Sequence, residues 1–161
     1  MSYSKGKISA NLNAFLDMIA FSEIGAILLQ NPASDDGYKV MVGSTPLHPV
    51  LFDSYATHPN VLNHALNSTA AGRYQLLHRY YIAYATSLNL PDFSPESQDD
   101  IAIQQIKERG AIPDIMAGNF GAAVAACANI WASLPGNNYG QHVNQLATLQ
   151  AAYLDAGGTL C

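Results

Sequence analysis

Charged side chains are scarce in this chain of 161 residues. Only 12% of the residues are Asp, Glu, Lys or Arg, which is about half of the share usual for a globular protein. Lys and Arg together number seven, and the formal net charge is −5. The basic face that phosphate binding requires is therefore missing, so nucleic acid is not an expected partner. Because 49% of the residues are hydrophobic, the composition favours a folded domain over a disordered chain.

Cysteine is also scarce, and the histidines show no ligand spacing. The two cysteines, Cys127 and Cys161, are too few for a disulfide framework. Cys127 lies in an alanine-rich segment that is typical of a buried, unreactive thiol. Cys161 is expected to be free, with a disulfide to Cys127 as the less favoured alternative. No HExxH pair, P-loop, dinucleotide fingerprint or GxSxG motif is present, so we expect no metal site and no cofactor.

Long hydrophobic runs are the third absence. The stretch 115–154 carries no Asp, Glu, Lys or Arg, but Asn119, Asn129 and Pro135 interrupt it well before the roughly 18 apolar residues of a membrane span. Near the N-terminus, Asp17 and Glu23 interrupt the apolar stretch, and no small-residue cleavage site follows. We therefore expect no signal peptide and synthesis in the cytoplasm.

The pattern of apolar residues predicts one mostly helical domain over 1–161, with a small β-hairpin insert. Alternation at 38–42 indicates a strand, with a short return strand near 50–52. The segment 25–32 is predicted to be an unusually apolar loop, and 35–37 a turn. Helical spacing and capping residues predict helices over 9–21, 70–88, 94–109, 119–134 and 141–156, of which 119–134 is apolar all round and should be the central buried helix.

One acidic residue is distinguished by its position. Glu23 follows an apolar helix and lies between Phe21 and Ile24, where loss of hydration should raise the pKa of its carboxyl group. A carboxylic acid that stays protonated near neutral pH can act as a general acid. Position alone leaves a second interpretation open, in which Glu23 is a solvated acid at a helix end.

Four stretches, in order along nearly the whole chain, resemble the family of the bacteriophage lambda endolysin, whose members are peptidoglycan lytic transglycosylases. They are AFLDMIAFSE (14–23), STAAGRYQLL (68–77), QQIKERGA (104–111) and NIWASLPG (129–136). Shorter matches occur at 37–43, 58–59, 139–141 and 156–159. Because four blocks of this length are collinear, the resemblance covers the full domain.

The resemblance implies an α+β, lysozyme-like fold in which the hairpin insert forms one lip of a cleft and the 135–142 loop forms the other. It implies that Glu23 cleaves the MurNAc–GlcNAc β-1,4 bond, acting first as acid and then as base, with formation of 1,6-anhydro-MurNAc. It also implies a set of substrate-binding residues: Ser22, Tyr55, Arg73, Tyr74, Gln75, Tyr139 and Gln141.

Two alternatives stay open at this stage. A hydrolytic muramidase would need a second carboxylate besides Glu23, and Asp35, Asp36 and Asp53 are the candidates. A glycan-binding or virion module that has lost activity is the other alternative.

The expected partner is the peptidoglycan glycan strand, to which the negative chain offers no electrostatic attraction. As a phage enzyme, the protein would need a holin to leave the host cytoplasm and reach the cell wall, and a monomer is expected. The chain departs from the lambda member of the family in an apolar 24–29 segment, in Lys39 where that member has an acid, and in a longer hairpin tip at 45–49.

Overall fold

The computed structural model describes residues 8–136 and 142–161. The described part is mostly helical, and its residues form two compact units. One unit consists of the residues before Ile24 together with those after Ile101, and the other of Ile24–Ile101. The helices are α1 (Ala10–Ile24), α2 (Ala26–Gln30), a 3-10 turn (Pro32–Ser34), α3 (His78–Leu88), α4 (Pro95–Glu108), α5 (Ile112–Ala117), α6 (Phe120–Cys127) and α7 (Leu146–Asp155).

Helix α1 is the most buried helix of the first unit. The Oγ of Ser9 accepts a hydrogen bond from the backbone N–H of Leu12 at 3.2 Å, so Ser9 caps the helix, as one of the two predicted candidates. Residues 12–16 and 18–20 are all buried. A single apolar stripe was predicted, but burial on every side makes α1 a core helix.

Aromatic and polar contacts attach α1 to later segments of the same unit. The ring of Phe15 lies edge-on to Phe120 at 6.3 Å between centroids, and Phe120 lies 5.0 Å from Tyr153. The Oδ1 of Asn11 accepts hydrogen bonds at 3.0 Å from both the backbone N–H and the Oγ1 of Thr159. The first helix is therefore held by residues from the end of the chain.

The predicted helix over 119–134 is wrong in length. Helix α6 ends at Cys127, and the backbone continues in turns with i→i+3 hydrogen bonds, such as Ile130 N–H to Cys127 O at 3.0 Å. Trp131 and Leu134 are nevertheless buried. A run of apolar residues is equally compatible with buried turns, which is why composition could not separate the two.

The second unit contains short antiparallel β-bridges where the hairpin was predicted. Val40 pairs with Leu51, and Met41 pairs with Ala71. The Oγ of Ser44 closes the hairpin tip by bonding both the N–H and the C=O of Val50 at 2.9 Å. The strand near 38–42 and its return near 50–52 thus exist as isolated bridges.

The helix predicted over 70–88 begins eight residues late. Gly72 and Gln75 have φ angles of +82° and +51°, which a right-handed helix excludes. They form a tight turn that is closed by a bridge between Ala71 and Leu76. The predicted cap residue Thr69 still contributes, because its Oγ1 accepts the N–H of the first residue of α3 at 3.1 Å.

An aromatic cluster forms the core of the second unit around His58. Its ring lies 4.8 Å from Phe93 and 5.6 Å from Tyr81. The Nε2 atom of His58 is 2.8 Å from Leu76 O, and its Nδ1 atom is 3.0 Å from the N–H of Asn60. A carbonyl accepts and an N–H donates, so Nε2 carries the ring proton and the imidazole is neutral. Burial lowers the pKa of His58 to about 4.

The remaining predicted elements have mixed outcomes. The helix expected over 94–109 is present as α4, and the turn at 35–37 is present with positive φ at all three residues. The segment 25–32 was wrongly predicted as a loop, because α2 and the 3-10 turn occupy most of it. The last predicted helix is present as α7, which begins at Leu146. Among the described residues, no helix has the length and apolar character to cross a membrane.

Candidate active site

Glu23 lies in the last turn of α1 and is partly buried. Burial raises the pKa of its carboxyl group to about 6, while hydrogen bonds from the hydroxyl and the backbone of Ser133 lower it. Because α1 is largely buried, the backbone of Glu23 is held in a fixed position. The raised pKa that was predicted from the position of Glu23 is therefore confirmed, and the group retains its proton to higher pH than an ordinary Glu.

A chain of polar side chains leads to this carboxyl group. Ser133 Oγ donates to Glu23 Oε1 at 2.5 Å. Ser22 Oγ lies 2.8 Å from Ser133 Oγ, and Asn144 Nδ2 lies 3.0 Å from Ser22 Oγ and 3.2 Å from Ser22 O. Ser22, which was predicted to bind substrate, is thus a neighbour of the acid in this hydrogen-bond chain.

The backbone around Ser133 is held in place by its buried neighbours. Trp131 and Leu134 have 3% and 0% of their surface exposed, and the N–H of Leu134 bonds to the carbonyl of Trp131 at 3.0 Å. The N–H of Asn144 donates to the carbonyl of Ser133 at 2.9 Å. The turn after α6 and the segment before α7 therefore present Ser133 and Asn144 together.

Arg73 and Tyr74 are buried, with 1% and 5% of their surfaces exposed. The hydroxyls of Tyr74 and Tyr38 both donate to Asp99 Oδ1, at 2.6 and 2.8 Å. Burial, and then the negative charge of Asp99, raise the pKa of Tyr74. The guanidinium of Arg73 lies over the ring of Tyr38 at 5.2 Å and pairs with Asp36 at 3.2 Å. The structure thus places these two predicted site residues inside the second unit, where they contact protein.

Gln75 is partly exposed and is held by the tight turn beneath it. Its Nε2 donates to Gly72 O at 2.9 Å and to Val40 O at 3.2 Å. The amide orientation follows from these partners, since both are carbonyls and can only accept. The remaining side-chain atom, Oε1, makes no hydrogen bond within the described residues.

Tyr55 belongs to a small polar group near the hairpin. Its hydroxyl donates to Asp35 Oδ2 at 2.6 Å, and burial, followed by Asp35, raises the pKa of the phenol. The ammonium of Lys39 lies 5.6 Å from the centre of the Tyr55 ring, and the ring packs against Phe52 at 5.7 Å. Tyr55, which was predicted to bind substrate, is thus in direct contact with Asp35, one of the candidate second carboxylates.

Two further predicted site residues, Tyr139 and Gln141, lie outside the described residues. Within the described ranges, no group of three or more His, Cys, Asp or Glu side chains could hold a metal ion. Cys127 and Cys161 are both free, and burial raises the pKa of the Cys127 thiol to about 12, as expected for an unreactive thiol.

Ser133, Asn144 and Asp99 were missed by reasoning from the sequence. Ser133 lies within the NIWASLPG stretch, which carried the resemblance, but an isolated serine in an apolar segment has no chemical signature. Asn144 lies in a segment without a motif. Asp99 occurs in the middle of α4, where a solvated acid is the usual case, and its burial becomes evident only from the structure.

Comparison with known proteins gives consistent matches over nearly the whole chain. A family model described as Endolysin matches residues 13–160. The endolysin of Escherichia phage lambda is 48% identical over 157 residues, covering 96% of each chain, and that of Escherichia phage P2 is 45% identical, covering 92% of this chain and 93% of its own. The solved structure of bacteriophage lambda lysozyme complexed with a chitohexasaccharide is similar, with a TM-score of 0.85, 47% identity and coverage of 96% and 98%.

Proposed function

The chain belongs to the endolysin family, and we propose that it is a lytic transglycosylase that uses Glu23 as its single catalytic carboxyl group. The fold is lysozyme-like, and the protein is a phage endolysin with the lysozyme-type activity of its relatives. The reaction type, the roles of individual residues and the product are proposed below.

The observation that carries the proposal is the environment of Glu23. Its carboxyl group is partly buried, burial raises its pKa to about 6, and the described causes of that shift include no charged side chain. With a pKa of about 6, such a group is mostly protonated below pH 6 and still protonated in roughly a tenth of the molecules at pH 7, so it can deliver a proton to a glycosidic oxygen placed beside it. A second carboxylate is not required for this step.

In the proposed reaction, Glu23 gives its proton to the glycosidic oxygen, and the bond between that oxygen and C1 of MurNAc breaks. The acetamido carbonyl of the same sugar stabilises the cation at C1. The Glu23 carboxylate then takes the proton of the C6 hydroxyl, and O6 bonds to C1, which gives the 1,6-anhydro ring. The carboxyl group ends protonated, as it began, and no water is consumed.

The similarity to a lysozyme complexed with a chitohexasaccharide supports an oligosaccharide as the ligand. We assign substrate contacts to Gln75, whose Oε1 makes no hydrogen bond within the described residues, and to Tyr55 and Ser22. Tyr139 and Gln141 keep the same assignment by resemblance. Arg73 and Tyr74, which are buried, would act by holding the turn that carries Gln75.

The proposal extends to how the enzyme reaches its substrate. Release from the host cytoplasm to the cell wall by a holin follows from the role of phage endolysins and stays a proposal for this chain. The glycan strand is proposed as the partner, and its recognition would rest on hydrogen bonds and stacking because the chain is acidic overall.

Digestion of purified peptidoglycan in ¹⁸O-labelled water tests the reaction type. A transglycosylase releases muropeptides with 1,6-anhydro-MurNAc ends, each one water lighter than a reducing end and free of label. A hydrolytic muramidase releases reducing ends that carry one ¹⁸O atom, and this as the main product would overturn the proposal. A module without activity would release nothing and would leave the turbidity of permeabilised Gram-negative cells unchanged.

A further inference from the structure

We propose that Ser133 is a positioning residue for Glu23: together with Ser22 and Asn144, it holds Oε1 as a hydrogen-bond acceptor and leaves Oε2 as the oxygen that carries and transfers the proton. This inference rests on the proposed role of Glu23 as the catalytic acid. It concerns which of the two carboxyl oxygens does the chemistry, and which neighbours decide it.

The donors and acceptors in this series of hydrogen bonds can be assigned by starting from Asn144, the member farthest from Glu23. The side chain of Asn144 lies 3.2 Å from the carbonyl oxygen of Ser22, which can only accept, so the atom that faces it is the NH₂ group. The same NH₂ group lies 3.0 Å from Ser22 Oγ and therefore donates to that atom as well. Asn144 thus supplies protons to Ser22 and takes none from it.

Each hydroxyl has one proton, so the direction continues along the chain. Ser22 Oγ accepts from Asn144 and can give its own proton to Ser133 Oγ, 2.8 Å away. Ser133 Oγ accepts that proton and points its own at Glu23 Oε1 at 2.5 Å. An oxygen that accepts from Ser133 in this way has no room for a proton of its own on that side. Since the carbonyl-type oxygen of a carboxylic acid is the better acceptor, this bond favours the neutral form in which Oε2 carries the proton.

This arrangement gives Ser133 a defined part in the proposed reaction. When Oε2 gives its proton to the leaving oxygen, the negative charge that forms on the carboxyl group is shared with Oε1, where the Ser133 hydroxyl is already in place to bind it. Because Oε1 stays held, Oε2 keeps its position while it waits to take the proton of the C6 hydroxyl. The same oxygen then serves both steps.

The neighbouring segments of the unit add little charge to this site. The stretch 128–136, which carries Ser133, has no ionisable side chain, and in 142–145 the ionisable side chain is that of His142, which is exposed. Within α1, the other acid is Asp17, six residues before Glu23. Burial and Ser133 are the described influences on the pKa of Glu23, in that order.

The test uses the whole protein labelled with ¹³C in the side-chain carboxyl of glutamate. The chain has only three Glu residues, at 23, 96 and 108, so the Glu23 signal is assigned by its loss in Glu23→Gln. Ser133→Ala removes the donor to Oε1, and Ser133→Thr keeps a hydroxyl. Asn144→Ala removes the first donor of the chain. Ser87→Ala, at an exposed serine that bonds only within α3, is the matched control.

In Ser133→Ala, we expect the pKa of Glu23 to rise by at least about half a unit, because the hydroxyl hydrogen bond that favours the carboxylate is lost while the one from the Ser133 backbone remains. The high-pH limb of the kcat profile should move upward by the same amount. We expect kcat to fall about tenfold, less than the roughly 10²–10⁴-fold contribution of a complete general acid or base, because Glu23 itself stays in place, with KM within about twofold. Asn144→Ala should move the pKa in the same direction by less, and Ser133→Thr and Ser87→Ala should leave it within about 0.2 units.

A Glu23 titration in Ser133→Ala that matches the wild type would overturn the proposal, and so would loss of activity without a shift of the pH profile. Because the titration needs no turnover, it tests the positioning role of Ser133 independently of the catalytic role of Glu23. Full activity in Glu23→Gln would remove the proposed function, whereas an unshifted titration in Ser133→Ala would remove the positioning role alone.

Discussion

Arg73 and Asp36 form an ion pair between a buried guanidinium and a half-exposed carboxylate. Nη1 of Arg73 lies 3.2 Å from Oδ1 of Asp36, and the two side chains have 1% and 39% of their surfaces exposed. The same nitrogen also bonds to the backbone carbonyl of Asp36. Asp36, a candidate second carboxylate when only the sequence is considered, therefore has a structural partner, and this changes what its replacement should do.

We expect Asp36→Asn to lower the free energy of unfolding by about 1–3 kcal/mol, because it removes the carboxylate charge that pairs with the buried guanidinium of Arg73. Activity per folded molecule should stay within about tenfold of wild type, a change under roughly 1.4 kcal/mol in the barrier. Urea denaturation and an assay on purified peptidoglycan measure the two effects. Asp53→Asn, at an exposed aspartate, is the control and should change neither.

Asp35→Asn should also keep at least about a tenth of wild-type activity, because in the single-carboxyl mechanism no aspartate takes part in bond cleavage. Asn can still accept from the Tyr55 hydroxyl and tolerates the positive φ of this position. Turnover on purified peptidoglycan, with the fold checked by circular dichroism, measures this. A hundredfold loss in Asp35→Asn or Asp53→Asn with the fold intact would point to a hydrolytic partner for Glu23.

Glu23→Gln should fold normally and lose about 10²–10⁴-fold in kcat, the usual contribution of a general acid or base. The amide keeps the size of the side chain, and its oxygen can still accept from Ser133, but it can neither deliver nor retrieve a proton. Lysis of permeabilised cells, followed by turbidity at matched protein concentration, measures the loss. A variant that lyses within about threefold of wild type would show that Glu23 is not the catalyst.

The same substitution should change how stability depends on pH. The carboxyl group of Glu23 titrates near 4.5 in an unfolded chain and at about 6 in the folded protein, so the wild type loses stability as pH rises through this window. Compared with wild type, Glu23→Gln should gain on the order of 1–2 kcal/mol between pH 4.5 and pH 7. Urea denaturation of both proteins at the two pH values measures the difference, and a constant difference would contradict the shifted pKa.

His58 should produce the opposite pH dependence in the second unit. Its pKa falls from 6.5 to about 4 on folding because its ring is buried, so its contribution is constant above pH 6.5 and is lost as pH falls toward 4. Compared with His58→Gln, the wild type should lose on the order of 2–3 kcal/mol between pH 7 and pH 4.5. His48→Gln, at an exposed histidine, is the matched control. Parallel stability curves for wild type and His58→Gln would contradict a buried neutral imidazole.

Gly72→Ala should destabilise the second unit by about 2–4 kcal/mol. Its φ of +82° disfavours any residue with a Cβ, and the added methyl group would collide with Oε1 of Gln98, which accepts the N–H of Arg73. Gly110→Ala is the control, because its φ of +69° is similar but no atom lies within 4 Å of the added Cβ. It should cost only about 1 kcal/mol. Equal losses in thermal denaturation would mean that backbone strain, and not the contact with Gln98, decides the effect.

The parts of the fold that were predictable from sequence are those set by local chemistry. Ser94 followed by Pro95 and Glu96 marked the start of α4, and Asp35, Asp36 and Gly37 marked a turn. The position of Glu23 after an apolar helix was also local information, and its raised pKa follows from that environment.

The parts that were not predictable depend on partners far away in the chain. The stretch 70–77 reads as a helix start, but the turn at Gly72 is held by Gln98, whose Oε1 accepts the N–H of Arg73 at 2.9 Å. Ser133 is part of the site only because its hydroxyl donates to Glu23, which is 110 residues earlier in the sequence. Local propensity could reveal neither, because the favourable contact belongs to another segment.

The discontinuous first unit has a consequence for the time at which the enzyme becomes competent. Helix α1 leaves the ribosome early, yet its neighbours in the unit follow Ile101. Translation proceeds at roughly 5–20 residues per second. For several seconds, therefore, the apolar helix α1 has been synthesised while the rest of its unit, which begins after Ile101, has not. Ser133 and Asn144 are synthesised later still, so until then Glu23 lacks the hydroxyl group that donates to its carboxyl group in the folded protein. The ordering of the chain itself therefore delays assembly of the hydrogen-bond chain until synthesis is almost complete.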